Sequence, residues 1–159
     1  MDISYKEKSA WISLVSTVLI FGYYLISLTG LSDLPPEEGK TQALWLLGQT
    51  LLLTVIVEAV FHAMLAASNR RDAELDGDER DQWIALKANQ AGYRVLVTVI
   101  WVVLGRMVIL EFNPQFADEN SSIYVPMLTV HLLMFGFIFS EVVRFGSQIW
   151  QYRREAFGD

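Results

Sequence analysis

Between Lys8 and Asp33 the chain carries no charged residue, and three further apolar blocks of comparable length follow. At a helical rise of about 1.5 Å per residue, roughly 20 apolar residues cross the roughly 30 Å of bilayer hydrocarbon. The block at 10–29 therefore predicts a transmembrane helix. A cleaved signal peptide is the competing reading; the run is long for one, lacks an A-x-A-like site and ends in Thr29-Gly30 ahead of a Pro-Pro turn. A second span is expected over 44–67, broken by Glu58 and His62, and a third over 93–112, containing Arg106. The fourth, 124–150, contains His131, Glu141 and Arg144. A soluble bundle needs polar faces at the helical period, and these blocks are apolar nearly all round. The expected fold is all-α integral membrane, a four-transmembrane-helix bundle forming a single domain over the 159 residues.

The placement of Lys and Arg sets the expected direction. Lys6 and Lys8 precede the first span, Arg70, Arg71, Arg80, Lys87 and Arg94 lie between the second and third, and Arg153 and Arg154 follow the fourth. The other two connections hold only Lys40. Both termini and the central loop, 68–92, are thus expected in the cytoplasm of a cell bounded by an inner membrane. Tyr5, Trp11, Trp83, Tyr93, Trp150 and Tyr152 would belt that side, and Tyr23, Tyr24, Trp45, Phe112, Phe116 and Tyr124 the other. The net charge of −6 identifies no partner, because the acidic excess sits mostly in the outer loops. With no cysteine, the chain has no disulfide, thiolate metal site or thiol chemistry.

Sliding the sequence on itself so that Glu58 meets Glu141 also brings Gly22 onto Gly105, Ile26 onto Ile109 and Val60 onto Val143. Arg70-Arg71-Asp72-Ala73 then falls on Arg153-Arg154-Glu155-Ala156. The polar matches carry the weight, since apolar helices share letters by composition. They predict two parallel-repeat helical hairpins related by a pseudo-two-fold axis along the membrane normal, with Glu58 and Glu141 at one depth. The positive-inside rule by itself also gives each returning helix a basic end.

An ionisable side chain at bilayer depth costs roughly 2.5–3.5 kcal/mol on insertion scales, so each needs a reason. By the helical rise, Glu58 and Glu141 lie roughly 20–25 Å from the outer surface, while Arg106 and His131 lie within roughly 10 Å of it. Glu58 and His62 share one helix face, as do Glu141 and Arg144. This inner layer suits a buried ion-pair network, a proton or cation site, or a divalent metal held by two carboxylates and an imidazole; the last is a sparse ligand set. In the outer layer Arg106 is expected to reach toward Glu37, Glu38, Asp118 or Glu119, and His131 to meet Arg106, Gln49 or Thr50. A bis-histidine haem does not fit, since His62 and His131 differ in depth by roughly 18 Å. No metal site or cofactor is expected. Gly22, Gly105, Gly136 and Gly146, with Ser13, Ser16 and Ser140, are expected to allow close helix approach.

In the central loop Asp76-Gly77 signals a turn and Asp78 a helix N-cap, followed by acids in the first turn. A single helix from Glu79 to Phe112 would run roughly 50 Å, so it either projects from the membrane or lays Trp83 and Ile84 on the interface. The charges of Asp78, Glu79, Arg80 and Asp81 suit pairing with Arg70, Arg71, Arg153 and Arg154, or a docking surface for a cytoplasmic protein. Asp78-Glu79-Arg80-Asp81 with Ile84, Lys87 and Gly92-Tyr93, the opening Glu7-Lys8-Ser9-Ala10-Trp11, and the closing Glu141-Val-Val-Arg144 and Tyr152-Arg153-Arg154 resemble a family of small four-span bacterial inner-membrane proteins. That family is known as a domain of unknown function with a "DERD" loop. Its members often end in Tyr-Arg-Arg-Gly, where this chain has Glu155. The resemblance implies fold and membrane, no catalytic residues and, as a partner, a helix-turn-helix regulator.

No phosphate-binding glycine loop, H-E-x-x-H, CxxC or nucleophile–base constellation is present, so no enzymatic activity is expected. The leading expectation is an interaction or regulatory protein acting through its charged loop, a homo-oligomer in the bilayer with no direct nucleic-acid contact. The alternative is a small proton or cation transporter using Glu58 and Glu141; a membrane metal or haem protein ranks below both.

Overall fold

A computed structural model describes residues 4–68, 78–113 and 127–156. Four helices account for nearly all of them: α1 (Tyr5–Thr29), α2 (Pro36–Ser68), α3 (Glu79–Phe112) and α4 (Leu128–Ala156), with a short 3₁₀ turn, Gly30–Asp33, between α1 and α2. All four are long and apolar enough to cross a membrane, and the chain is a multi-pass membrane protein. Each expected span lies within its helix, apart from Met127, which precedes α4, and residues 124–126, which fall outside the described residues together with Arg70, Arg71, Phe116, Asp118 and Glu119.

Helix starts follow local chemistry. Ser4 caps α1 by accepting from the Glu7 amide at 3.2 Å, and Asp78 caps α3 by accepting from the Asp81 amide at 2.8 Å. Pro36 opens α2 with Glu37 and Glu38 in its first turn, where a missing N–H is harmless and the helix dipole favours acids. Met127 takes a left-handed φ of 57°, and its carbonyl accepts from the Val130 and His131 amides, which sets His131 in the first turn of α4.

The helices pack in the order α3–α4–α1–α2, so α4 and α1 each touch two neighbours. Of the most apolar 18-residue window, 22% is buried in α1 and in α4, against 11% in α2 and 6% in α3. The two outer helices thus have the fewest fully buried residues. Tails as apolar as leucine supply no hydrophobic force between helices, so close backbone approach and polar contacts must hold the bundle. Gly136 shows the approach: a Cβ there would lie 2.0 Å from Val99 Cγ1. At Gly92 a Cβ would lie 3.0 Å from both Arg144 Cβ and the Ser140 carbonyl. Gly22, Gly105 and Gly146 were expected to serve the same purpose, yet nothing lies within 4 Å of where their Cβ would be.

The apolar core lies at the end opposite the termini, where Tyr24, Leu31, Ala43, Leu46, Met134 and Ile138 are buried together. The terminal end is tied by polar contacts. Arg153 Nε lies 2.7 Å from Glu7 Oε1, and the Tyr152 hydroxyl donates to Asp81 Oδ1 at 2.8 Å. These contacts place both termini and the start of α3 at one end. Ile84 is buried rather than laid on the interface, and Tyr24 and Tyr152 are buried rather than belt residues; Trp11, Tyr23, Trp45, Trp83, Tyr93, Phe112 and Trp150 are exposed.

A two-fold axis between the hairpins would pack α2 against α3 as α1 packs against α4. Among the described residues α2 makes its main helix contact with α1 alone. The helix packing among the described residues therefore does not display that relation.

Candidate functional site

Along α2, Thr50, Thr54, Glu58 and His62 recur at every fourth residue and form one face. Along α1, Ser9, Ser13, Ser16 and Tyr24 recur at threes, fours and their multiples and form a facing stripe. The two stripes meet at Glu58. Ser13 Oγ donates to Glu58 Oε2 at 2.8 Å and Ser16 Oγ to Oε1 at 2.7 Å, so a serine holds each carboxylate oxygen. His62 Nδ1 lies 2.8 Å from the Glu58 main-chain carbonyl. A carbonyl only accepts, so Nδ1 carries the proton, and in the neutral ring Nε2 accepts from Ser9 Oγ at 2.9 Å. The same Nδ1 lies 3.4 Å from Glu58 Oε2.

Across from Glu58, α4 presents Glu141 and Arg144 one turn apart. Arg144 Nε donates to Glu141 Oε1 and Oε2 at 3.2 and 3.1 Å, Nη2 closes a third contact, and the guanidinium lies 4.1 Å from the centre of the Phe145 ring. Glu58, Glu141 and Arg144 all line one cavity of about 260 Å³ between α1, α2 and α4. Thr17, Ile20 and Phe21 of α1, Thr54 of α2 and Phe137, Ile138 and Phe145 of α4 complete its wall. All three charged side chains are half-buried, so they neither face lipid fully nor lose access to the cavity.

The inner layer expected from the sequence is thus assembled, with His62 placed beside Glu58 and off the cavity wall. A metal centre of Glu58, His62 and Glu141 is not assembled: among the described residues no three His, Asp or Glu side chains converge to hold an ion. The outer layer divides. Arg106 donates to Thr129 Oγ1 at 2.8 Å. His131, 1% exposed, meets the hydroxyl of Tyr24, 0% exposed, through Nδ1, a partner the sequence did not suggest. Phe21, which lines the cavity, and Phe135 pack around Tyr24.

The segment Asp78–Asp81 is largely engaged within the chain. Asp78 caps α3, Asp81 accepts from Tyr152, and the Arg80 guanidinium lies 5.8 Å from the Tyr152 ring centre. Arg153, expected to face this segment, pairs with Glu7, and Arg154 lies over Trp150 at 5.5 Å. Sequence reasoning missed the serines as carboxylate partners, having assigned Ser13 and Ser16 to packing alone. The available signal was the match between their spacing and that of Thr54, Glu58 and His62 on the next helix.

Compared with protein-family models, with curated proteins and with solved structures, the chain matches none.

Proposed function

We propose that the chain is a small, non-enzymatic membrane transporter that moves a proton or another small cation, with Glu58 as the binding carboxylate. The carrying observation is the charge balance of the cavity. Glu58 and Glu141 bring two carboxylates and Arg144 one guanidinium, leaving one negative charge in a half-buried, largely apolar chamber. Arg144 is committed to Glu141, so the uncompensated charge belongs to Glu58. Ser13 and Ser16 satisfy its hydrogen bonds but bring no countercharge, and a bound cation or proton would supply one.

Docking of a cytoplasmic protein, such as a helix-turn-helix regulator, on Asp78, Glu79, Arg80 and Asp81 has less support, because Asp78 and Asp81 are already used. The Lys and Arg asymmetry supports both termini in the cytoplasm, under a bacterial inner membrane, as in the DERD-loop family that the chain resembles. Purified protein in liposomes under an imposed ion gradient tests the function. Cation flux above protein-free vesicles, lost in Glu58→Gln, is expected; equal flux in wild type and Glu58→Gln overturns the assignment.

A further inference from the structure

Resting on that reading, we propose that the transported ion is the proton and that its route is the polar seam between α1 and α2. It enters from the terminal end through Ser9 and His62, loads Glu58, and is held back from the opposite end by the buried Tyr24–His131 pair.

The first ground is that Glu58 is satisfied in either protonation state. Ser16 Oγ lies 2.7 Å from Glu58 Oε1 and also 2.8 Å from the Ile12 carbonyl, yet a hydroxyl has one proton. When Glu58 is ionised, that proton points at Oε1. When Glu58 is a neutral acid protonated at Oε1, it donates to Ser16 Oγ, which turns its own proton to Ile12. No polar group is stranded in either state, so proton exchange avoids the penalty of a buried unpaired donor or acceptor.

The second ground is a titratable neighbour on the entry side. His62 is half-exposed and Glu58 Oε2 lies 3.4 Å from its Nδ1. A proton arriving at Nε2 through Ser9 makes an imidazolium; once its Nδ1–H turns from the Glu58 main-chain carbonyl to the carboxylate it passes that proton to Oε2, and rotation of the carboxyl group then sets the acid proton toward Ser16. The products are a neutral imidazole protonated at Nε2 and a neutral Glu58, so charge and protons balance. Glu141 and Arg144, the other charged groups facing this cavity, are paired with each other.

The third ground is the asymmetry of the seam beyond Glu58. The cavity of about 260 Å³ has room for several waters and a polar wall at Thr17 and Thr54. The next groups outward, Tyr24 and His131, are almost fully buried and bonded to each other beside Phe21 and Phe135. The polar seam therefore ends, on the side away from the termini, at a buried pair, which is where the closed gate of an alternating-access carrier would lie.

The test uses the full chain in phosphatidylethanolamine–phosphatidylglycerol vesicles with a trapped pH dye, and parallel vesicles with Na⁺ and K⁺ indicators. Potential-driven proton flux is expected, abolished by Glu58→Gln and lowered by about tenfold in His62→Gln, the effect of ~1.4 kcal/mol on a barrier. Tyr24→Phe, which removes the hydroxyl facing His131, is expected to raise flux. Ser9→Ala is a second probe of the entry side should His62→Gln fail to fold. Infrared titration of wild type in detergent is expected to show a carboxylic acid band absent from Glu58→Gln and shifted in Ser16→Ala. Glu58-dependent Na⁺ or K⁺ flux without proton flux overturns the proton assignment and leaves the cation site standing. Proton flux that needs Glu58 but ignores His62→Gln and Ser9→Ala overturns the route, and unchanged flux in Tyr24→Phe overturns the gate. No flux of any cation overturns this proposal and the transport reading together.

Discussion

Glu7, in the first turn of α1, and Arg153, in the last turn of α4, meet at 2.7 Å and tie the two chain ends across the bundle. The partners are unequally buried: the Glu7 side chain is 10% exposed and that of Arg153 41%. Removing the arginine strands a carboxylate that water barely reaches, whereas removing the carboxylate frees an arginine that can turn to solvent. Arg153→Ala is therefore expected to lose more stability than Glu7→Gln, on the order of 1–3 kcal/mol for an unsatisfied charged group. Thermal unfolding in detergent micelles checks the order, and equal losses contradict it.

The contact between α3 and α4 is as close as a glycine permits. A methyl group at Gly136 would overlap Val99 Cγ1 and lie 2.8 Å from Val99 Cβ, and valine cannot swing its Cβ aside. Gly136→Ala should force the helices apart and cost about 1–3 kcal/mol, with recovery in the Gly136→Ala, Val99→Ala double variant. Gly105→Ala, where nothing lies within 4 Å, should instead hold or gain stability, since Ala is favoured over Gly in a helix by roughly 1 kcal/mol. Equal melting temperatures for the two single variants would sink this account.

The start of α3 depends on two different carboxylates. Asp78 supplies the cap and Asp81 anchors the first turn to Tyr152. Asp78→Ala is expected to cost about 1 kcal/mol of local helix stability. Tyr152→Phe should detach the same turn from α4 while leaving the cap intact. Hydrogen exchange followed by mass spectrometry should show faster exchange over residues 79–84 in both variants, and no change over 95–105.

Much of this architecture was legible because the bilayer is a severe solvent. The run without charge from Lys8 to Asp33 permits one structure in hydrocarbon, so the four helices followed from composition and length. The inner layer was legible for a related reason: a glutamate amid leucine and valine needs a partner, and Glu141 with Arg144 one turn away supplied its own. Partners on other helices were not legible. Whether Ser13 faces Glu58 depends on the rotation of α1 about its axis, and small residues suit both packing and hydrogen bonding. The same ambiguity hid the burial of Tyr24 and Tyr152, since a tyrosine near a helix end serves equally in a lipid belt or against a buried acceptor.

The pairing of Glu141 with Arg144 makes a different demand from that of Glu58 with its serines. Arg144→Gln leaves Glu141 as a second uncompensated carboxylate on the cavity wall. That variant should be destabilised, because breaking a half-buried ion pair costs more than deleting it whole. Adding Glu141→Gln removes the stranded charge, and stability should return toward wild type, giving a coupling of about 0.5–3 kcal/mol in the double-mutant cycle. At Glu58 no such rescue exists: Ser13→Ala and Ser16→Ala each remove a neutral donor from the same carboxylate, so the double variant should lose more than either single one. Unfolding midpoints for the four variants and the two doubles separate the cases. A double loss in Arg144→Gln, Glu141→Gln equal to the sum of its parts would mean that the two groups stand side by side without interacting.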